Sequence, residues 1–142
     1  MIKFENKYFV KLNFTRNQIK KYASSAHKDL GIAKRTNIAE VKFQFTYNAL
    51  LKLGISLIAC HGYKVKSRAG HHIKILEQMA EILENKDILA YGNQMRKTRN
   101  TELYDGGSMM ITGKQSVEYL NFTEKLFDSS REIFKKYLGT LF

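Results

Sequence analysis

IAEVKFQFTYNALLKLGISLIAC, residues 38–60, is the stretch that decides the fold. Apolar side chains occupy nearly every side of it: Phe43, Phe45, Tyr47, Leu50, Leu51, Leu53, Ile55, Leu57 and Ile58. A helix that is apolar all round cannot lie on a surface, so it belongs at the centre of a bundle. The alternation Val41, Phe43, Phe45, Tyr47 also suits a strand. The run contains no turn signal, however, and it is far longer than the roughly 5–6 residues of an ordinary strand. Asn37, with Glu40 three positions later, has the form of a capping box that would open the helix.

On the N-terminal side, Thr15 is placed to cap a helix whose Ile19, Tyr22, Ala23, Ala26 and Leu30 recur at three- and four-residue spacing. Before it, Ile2, Phe4, Tyr8, Val10, Leu12 and Phe14 fall on alternate positions, the pattern of a short strand or an amphipathic arm. On the C-terminal side, HGYKVKSRAG (61–70) is a basic loop with two glycines, and Ile73, Ile75, Leu76, Met79, Ala80, Ile82 and Leu83 read as a third helix. A helix from about Asp87 to Tyr104 follows, and Gly106 and Gly107 would stop it. Thr112 opens a last helix through Val117, Leu120, Phe122, Leu126, Phe127, Ile133, Phe134 and Tyr137. The expected fold is all-α, an up-and-down bundle of four to five helices in a single domain, 1–142, with residues 1–14 as an N-terminal arm.

Composition agrees with one folded unit. The 142 residues are 44% apolar and contain no proline, and no Gly/Ser linker or internal repeat interrupts them. No unbroken apolar run reaches the roughly 18–20 residues of a membrane span, which points away from a membrane. The start, MIKFENKYFVKLNF, carries charges where a signal peptide needs an apolar stretch, and the lone Cys60 cannot form an internal disulfide, so the expected compartment is the cytoplasm. Lys and Arg outnumber Asp and Glu by 24 to 13, a net charge of +11 that favours polyanionic partners such as nucleic acid. Residues 1–37 hold nine basic and two acidic side chains, so the excess is concentrated at the start.

QMRKTRNTELYDGG, residues 94–107, carries the most chemistry. On a helix, Arg96, Arg99, Asn100, Leu103 and Tyr104 share an arc of about 140°, which places two guanidinium groups, an amide and a phenol on one face. Two arginines there repel each other unless an anion or carboxylate lies between them, and their planar forks match phosphate oxygens. The plainer alternative pairs Arg96 and Arg99 with Glu102, Asp105, or Glu77, Glu81 and Glu84 of the third helix.

Taken in order, FTYNALLKLG within the long apolar helix, GYKVKSRAGHH, and MRKTRNTELYDGG resemble the HEPN superfamily, named for higher-eukaryote and prokaryote nucleotide-binding domains. The resemblance runs over roughly residues 15–138. It implies a compact helical bundle that dimerises so that two copies of an Arg-polar-x-x-x-His motif face a shared cleft. It further implies a metal-independent ribonuclease, often a toxin or defence effector, with an antitoxin or minimal nucleotidyltransferase as partner. Arg99 matches the family's arginine and Asn100 its polar residue, but Tyr104 stands where the histidine belongs. The histidine would move the ribose 2′-hydroxyl proton while arginine steadies the phosphorane charge. Tyrosine, with an ordinary pKa near 10, is a weak base at neutral pH, although it can stack on a base or donate to phosphate. The resemblance therefore implies catalytic roles for Arg99, Asn100 and Tyr104, and binding survives the substitution better than cleavage. Because the cleft that the resemblance implies needs two copies, and the N-terminal arm is surplus to a four-helix core, a homodimer is expected, with Arg99 near the interface.

His71 and His72 open the third helix, where backbone N–H groups and the helix dipole favour an anion, and Lys64, Lys66 and Arg68 stand just before them. Together with Arg96 and Lys97 these are the candidate phosphate-binding residues. An imidazole titrates near neutrality, so either histidine can replace the missing base if the fold brings it to Arg99. The alternative is that both simply bond to backbone at the helix start. Cys60, His61, His71 and His72 lack metal-ligand spacing, Cys60 reads as a packed small side chain, and no metal or cofactor is expected. No P-loop, G-x-S-x-G or dinucleotide-binding glycine pattern is present.

Overall fold

The computed structural model describes residues 2–104 and 111–139, with backbone alone for 101–104. The chain is a helical bundle of β1 (Phe9–Lys11), α1 (Arg16–Arg35), α2 (Ala39–Cys60), β2 (Tyr63–Val65), α3 (His71–Ile82), α4 (Asp87–Tyr104) and α5 (Gly113–Leu138). As the apolar pattern dictates, α2 is central: α1, α3, α4, α5 and β2 all pack against it. Phe43, Tyr47, Leu50, Leu53, Leu57 and Ile58 are fully buried there. Among the described residues α2 alone has the length and apolar composition to cross a membrane, and 72% of its apolar window is buried inside the bundle.

The helix starts follow local chemistry. Thr15 accepts from the backbone N–H of Gln18 while the Gln18 side chain accepts from the N–H of Thr15, and Thr112 and Gln115 repeat the arrangement at α5. The expected Asn37–Glu40 box at α2 does not form. Ile38 is the N-cap and has no side-chain cap bond, while the Thr36 hydroxyl accepts from the N–H of Ile38. Only three residues separate α1 from α2, so the chain folds back sharply, and Lys42 Nζ donates to the Ala33 carbonyl at 2.7 Å to close the corner.

The N-terminal arm also departs from expectation. A turn over Asn6–Tyr8 reverses the phase of its alternation, so Phe9 is 3% exposed whereas Val10 is 45% exposed. Only Phe9–Lys11 is strand, paired antiparallel with β2 in the register Phe9 to Val65, Val10 to Lys64 and Lys11 to Tyr63. Phe4 stacks on Tyr63 at 4.0 Å between ring centroids, and the Gln78 amide donates to the Lys3 carbonyl. The arm is therefore part of the core rather than surplus to it, because β2 supplies an edge that it satisfies.

Two glycines set where α3 lies. A Cβ at Gly54 of α2 would stand 2.5 Å from Ile75 Cγ2 and 2.6 Å from Met79 Sδ, and one at Gly92 of α4 would stand 2.7 Å from Leu76 Cδ2. The missing side chains let α3 wedge closely between α2 and α4, which carries its first turn toward the arginines of α4.

Candidate functional site

The chain enters α3 through Gly70, whose φ of 80° suits glycine, and no side chain caps the first turn. The backbone N–H groups of His71 and Ile73 bond to the Arg68 and Gly70 carbonyls, which leaves the N–H of His72 and the positive end of the helix dipole for whatever lies in front. What lies in front is a cleft of about 320 Å³ walled by Arg68, Gly70, His71, His72 and Ile73 on one side and by Arg96 and Asn100 of α4 on the other. His71 and His72 thus meet Arg96 and Asn100 in one cavity, whose lining does not include Arg99.

The two histidines differ in role. His71 Nδ1 bonds to the Arg68 carbonyl at 2.9 Å, the plain helix-start role expected as the alternative for both. His72 Nδ1 instead lies 3.1 Å from the hydroxyl of Tyr47, leaving Nε2 as its other polar atom. The imidazoles stand edge to face at 4.4 Å. Burial, then the charges of His71, Arg99 and Arg96, push the His72 pKa down to about 4, so the ring is neutral at physiological pH. Burial raises the Tyr47 hydroxyl to about 12 against the opposing pull of Arg99 and Arg96, so it keeps its proton.

Arg99 lies with its guanidinium carbon 6.0 Å from the centre of the Tyr47 ring, a cation–π arrangement that holds it beside the Tyr47–His72 pair. Arg96 is half-buried, and its Nε is shielded from solvent without a hydrogen-bond partner among the described residues. A buried guanidinium donor without an acceptor is costly, and an anion in the cleft would satisfy it. Of the alternative carboxylate partners on α3, Glu77 pairs with Lys74, and among the described residues no ion pair joins Arg96 or Arg99 to Glu77, Glu81 or Glu84. Glu102 and Tyr104 have side chains outside the described residues, and Asp105, Gly106 and Gly107 lie outside them altogether.

The remaining expected cations are spent differently. Lys66 Nζ donates to the Asn6 carbonyl at 2.7 Å and Arg68 Nη1 to the Lys7 carbonyl at 2.8 Å, so both tie the arm down, although Arg68 also borders the cleft. Lys64 belongs to β2 and borders a neighbouring cavity, and Lys97 is exposed and outside the cleft lining. Cys60 is buried and its thiol is pushed up to about 12 by burial, which suits packing and not nucleophilic chemistry. Among the described residues no three His, Cys, Asp or Glu side chains converge to hold a metal.

Tyr47 is the participant that sequence reasoning assigned to the core alone. Its signal was present: a tyrosine in the centre of an apolar helix must find a partner for its hydroxyl. In comparisons with known proteins, no family model matches the chain, and no curated protein or solved structure matches it.

Proposed function

We propose that this protein binds RNA or nucleotide through phosphate in the cleft between the start of α3 and α4, and that it acts as a metal-independent ribonuclease of the toxin or defence type. The observation that carries the reading is the convergence of the α3 start, His71, His72, Asn100 and an Arg96 whose buried Nε lacks an acceptor among the described residues. Arg99, held over Tyr47, adds a second guanidinium beside the histidines. The resemblance of Arg99-Asn100-x-x-x-Tyr104 to the HEPN motif agrees with it, as does the net charge of +11.

In this reading His72 takes the part of the histidine that Tyr104 replaces. In the tautomer whose Nδ1–H donates to Tyr47, the bare Nε2 accepts the proton of a ribose 2′-hydroxyl. The 2′-oxygen then attacks the adjacent phosphorus, the bond to the 5′-oxygen breaks, and that oxygen takes a proton from solvent, giving a 2′,3′-cyclic phosphate and a free 5′-hydroxyl. Arg96 and Arg99 stabilise the charge that gathers on the phosphorane. By the same resemblance we propose a homodimer, with an antitoxin or minimal nucleotidyltransferase as partner.

A second reading, binding without cleavage, is favoured by the low pKa of His72, because a ring at about 4 is a poor proton acceptor. Incubating the protein with labelled RNA in EDTA separates the two. Cleavage that disappears in Arg99→Ala supports the nuclease. Affinity that falls by about 1–3 kcal/mol in Arg96→Ala or Arg99→Ala, with no cleavage in the wild type, supports the binder. Unchanged affinity and activity in both variants would defeat both readings.

A further inference from the structure

A second cavity, of about 240 Å³, lies against the phosphate cleft, and His71 and His72 border both. Its character is different. The floor is aliphatic, with Ile55 of α2 among its residues, and its wall includes Phe14 and Tyr22, whose rings meet edge to face at 5.7 Å. Tyr22 is 37% exposed, a large amount for a tyrosine on the buried side of an amphipathic helix. Ser67 supplies a hydroxyl to the lining and the imidazoles complete it. The volume is below the roughly 300–1,000 Å³ of sites for drug-sized ligands, which suits one flat heterocycle better than a whole nucleotide.

We infer that this cavity is the nucleobase subsite of the phosphate cleft, an inference that rests on the phosphate reading above. A nucleotide has an aromatic base at one end, phosphate at the other and ribose between them. Here an aromatic and aliphatic cavity and a cationic cleft are separated by one imidazole pair. With the base against Tyr22 and the phosphate among Arg96, Asn100 and the α3 start, the ribose lies along His71 and His72. Its 2′-hydroxyl is then beside the imidazole that the proposed reaction requires. Ser67 and His71 offer polar atoms to the edge of the base, while the aromatic wall accepts the face of any base. The ligand class is therefore a ribonucleotide held at both ends rather than a bare phosphate or an isolated base.

The chain contains no tryptophan, so Tyr22→Trp creates a single fluorescent reporter at the cavity wall. Adenosine 3′-monophosphate and uridine 3′-monophosphate are expected to quench it, and ribose 5-phosphate and inorganic phosphate are not. In the wild-type protein, calorimetry is expected to find at least one of the two nucleotides bound roughly ten- to a hundredfold more tightly than ribose 5-phosphate, the scale of base–aromatic stacking. Tyr22→Ala, a rim substitution with little burden on the core, is expected to remove most of that advantage while ribose 5-phosphate binds as before. Ribose 5-phosphate bound as tightly as both nucleotides would overturn the subsite and leave the phosphate cleft standing. Failure of phosphate, ribose 5-phosphate and both nucleotides to bind at millimolar concentration would overturn the phosphate cleft, and the subsite with it.

Discussion

The hydroxyl of Tyr47 lies 3.1 Å from Nδ1 of His72, joining the central helix to the first turn of α3. Tyr47 is fully buried and His72 is half-buried, so the bond is shielded on one side and reaches the cleft on the other. It fixes the imidazole ring in place and leaves a single nitrogen for a ligand. Tyr47→Phe keeps the ring stacked in the core and removes only this bond. The variant is expected to lose about 0.5–1.5 kcal/mol of stability in chemical denaturation. The nitrogen chemical shifts of the His72 ring are expected to move as its tautomers redistribute, and shifts identical to wild type would show that the bond does not set the tautomer.

The same ring is a pH probe. Its pKa in the fold, about 4, is below the ordinary 6.5, so between these values the unfolded chain holds more proton than the folded one. The contribution of His72 is therefore fully present above about pH 6.5 and is lost as pH falls toward 4. The loss amounts to about 1 kcal/mol after allowance for solvent screening of a half-exposed ring. Arg96→Ala removes one of the charges that depress the pKa and is expected to raise it, though not to 6.5, because burial is the larger cause. Inorganic phosphate in the cleft is expected to raise it too. Both shifts are read from the ring protons by nuclear magnetic resonance, and a His72 pKa indifferent to phosphate would place the anion elsewhere.

Much of this architecture is legible in the residues. The all-round apolarity of 38–60, the Thr15 and Thr112 caps and the spacing of the other helices lead directly to the helical bundle. The arm misleads because its alternation is real but the turn at Asn6–Tyr8 shifts its phase, and no periodicity argument sees a turn made by non-glycine residues. With Phe4 and Phe9 packed into the bundle, the arm no longer argues for a dimer. At the site, the helix face of Arg96 and Asn100 and the opening of α3 by His71 and His72 can be read separately. Their meeting cannot, because it depends on how closely α3 approaches α2 and α4. That approach is a property of Gly54 and Gly92, which in sequence look like ordinary weak points of two helices.

Glycine is therefore expected to have opposite value at different helix positions. At Gly31 of α1 an added Cβ would approach only the flexible end of Arg35, so Gly31→Ala is expected to stabilise the fold by about 0.5–1 kcal/mol through helix propensity. At Gly54 the same change drives a methyl into Ile75 and Met79, and overpacking of this kind costs about 1–3 kcal/mol, more than the propensity gain. Thermal melts of the two variants should move in opposite directions. If Gly54→Ala melts at or above the wild-type temperature, the close seating of α3 is not what the glycine provides.

Salt dependence tests the charge side of the cleft. Each phosphate neutralised by the protein releases counterions, so RNA affinity is expected to fall steeply between low and physiological salt. Arg96→Ala should reduce the slope of log affinity against log salt by about 1, whereas Lys97→Ala, outside the cleft, should change it less. Equal slopes for wild type and Arg96→Ala would remove Arg96 from phosphate contact.

The sharpest comparison sets His72 against Tyr104 as the group that moves the proton. If His72 is the base, His72→Asn keeps a polar side chain at the α3 start and abolishes cleavage of RNA in EDTA, while RNA affinity changes by less than about 1 kcal/mol. Tyr104→Phe then leaves the rate within severalfold of wild type. If Tyr104 is the proton donor or base, the ranking reverses, and Tyr104→His is expected to raise the rate and shift its pH dependence toward neutrality, since imidazole is the better proton carrier there. A binder without nuclease activity shows no cleavage in any of these variants except Tyr104→His, where a gain of activity would mean that the cleft already holds RNA in reactive register and lacks only the base. Single-turnover rates between pH 5 and 9 distinguish the three cases. A pH profile unchanged by both His72→Asn and Tyr104→Phe in an active enzyme would exclude both residues from proton transfer.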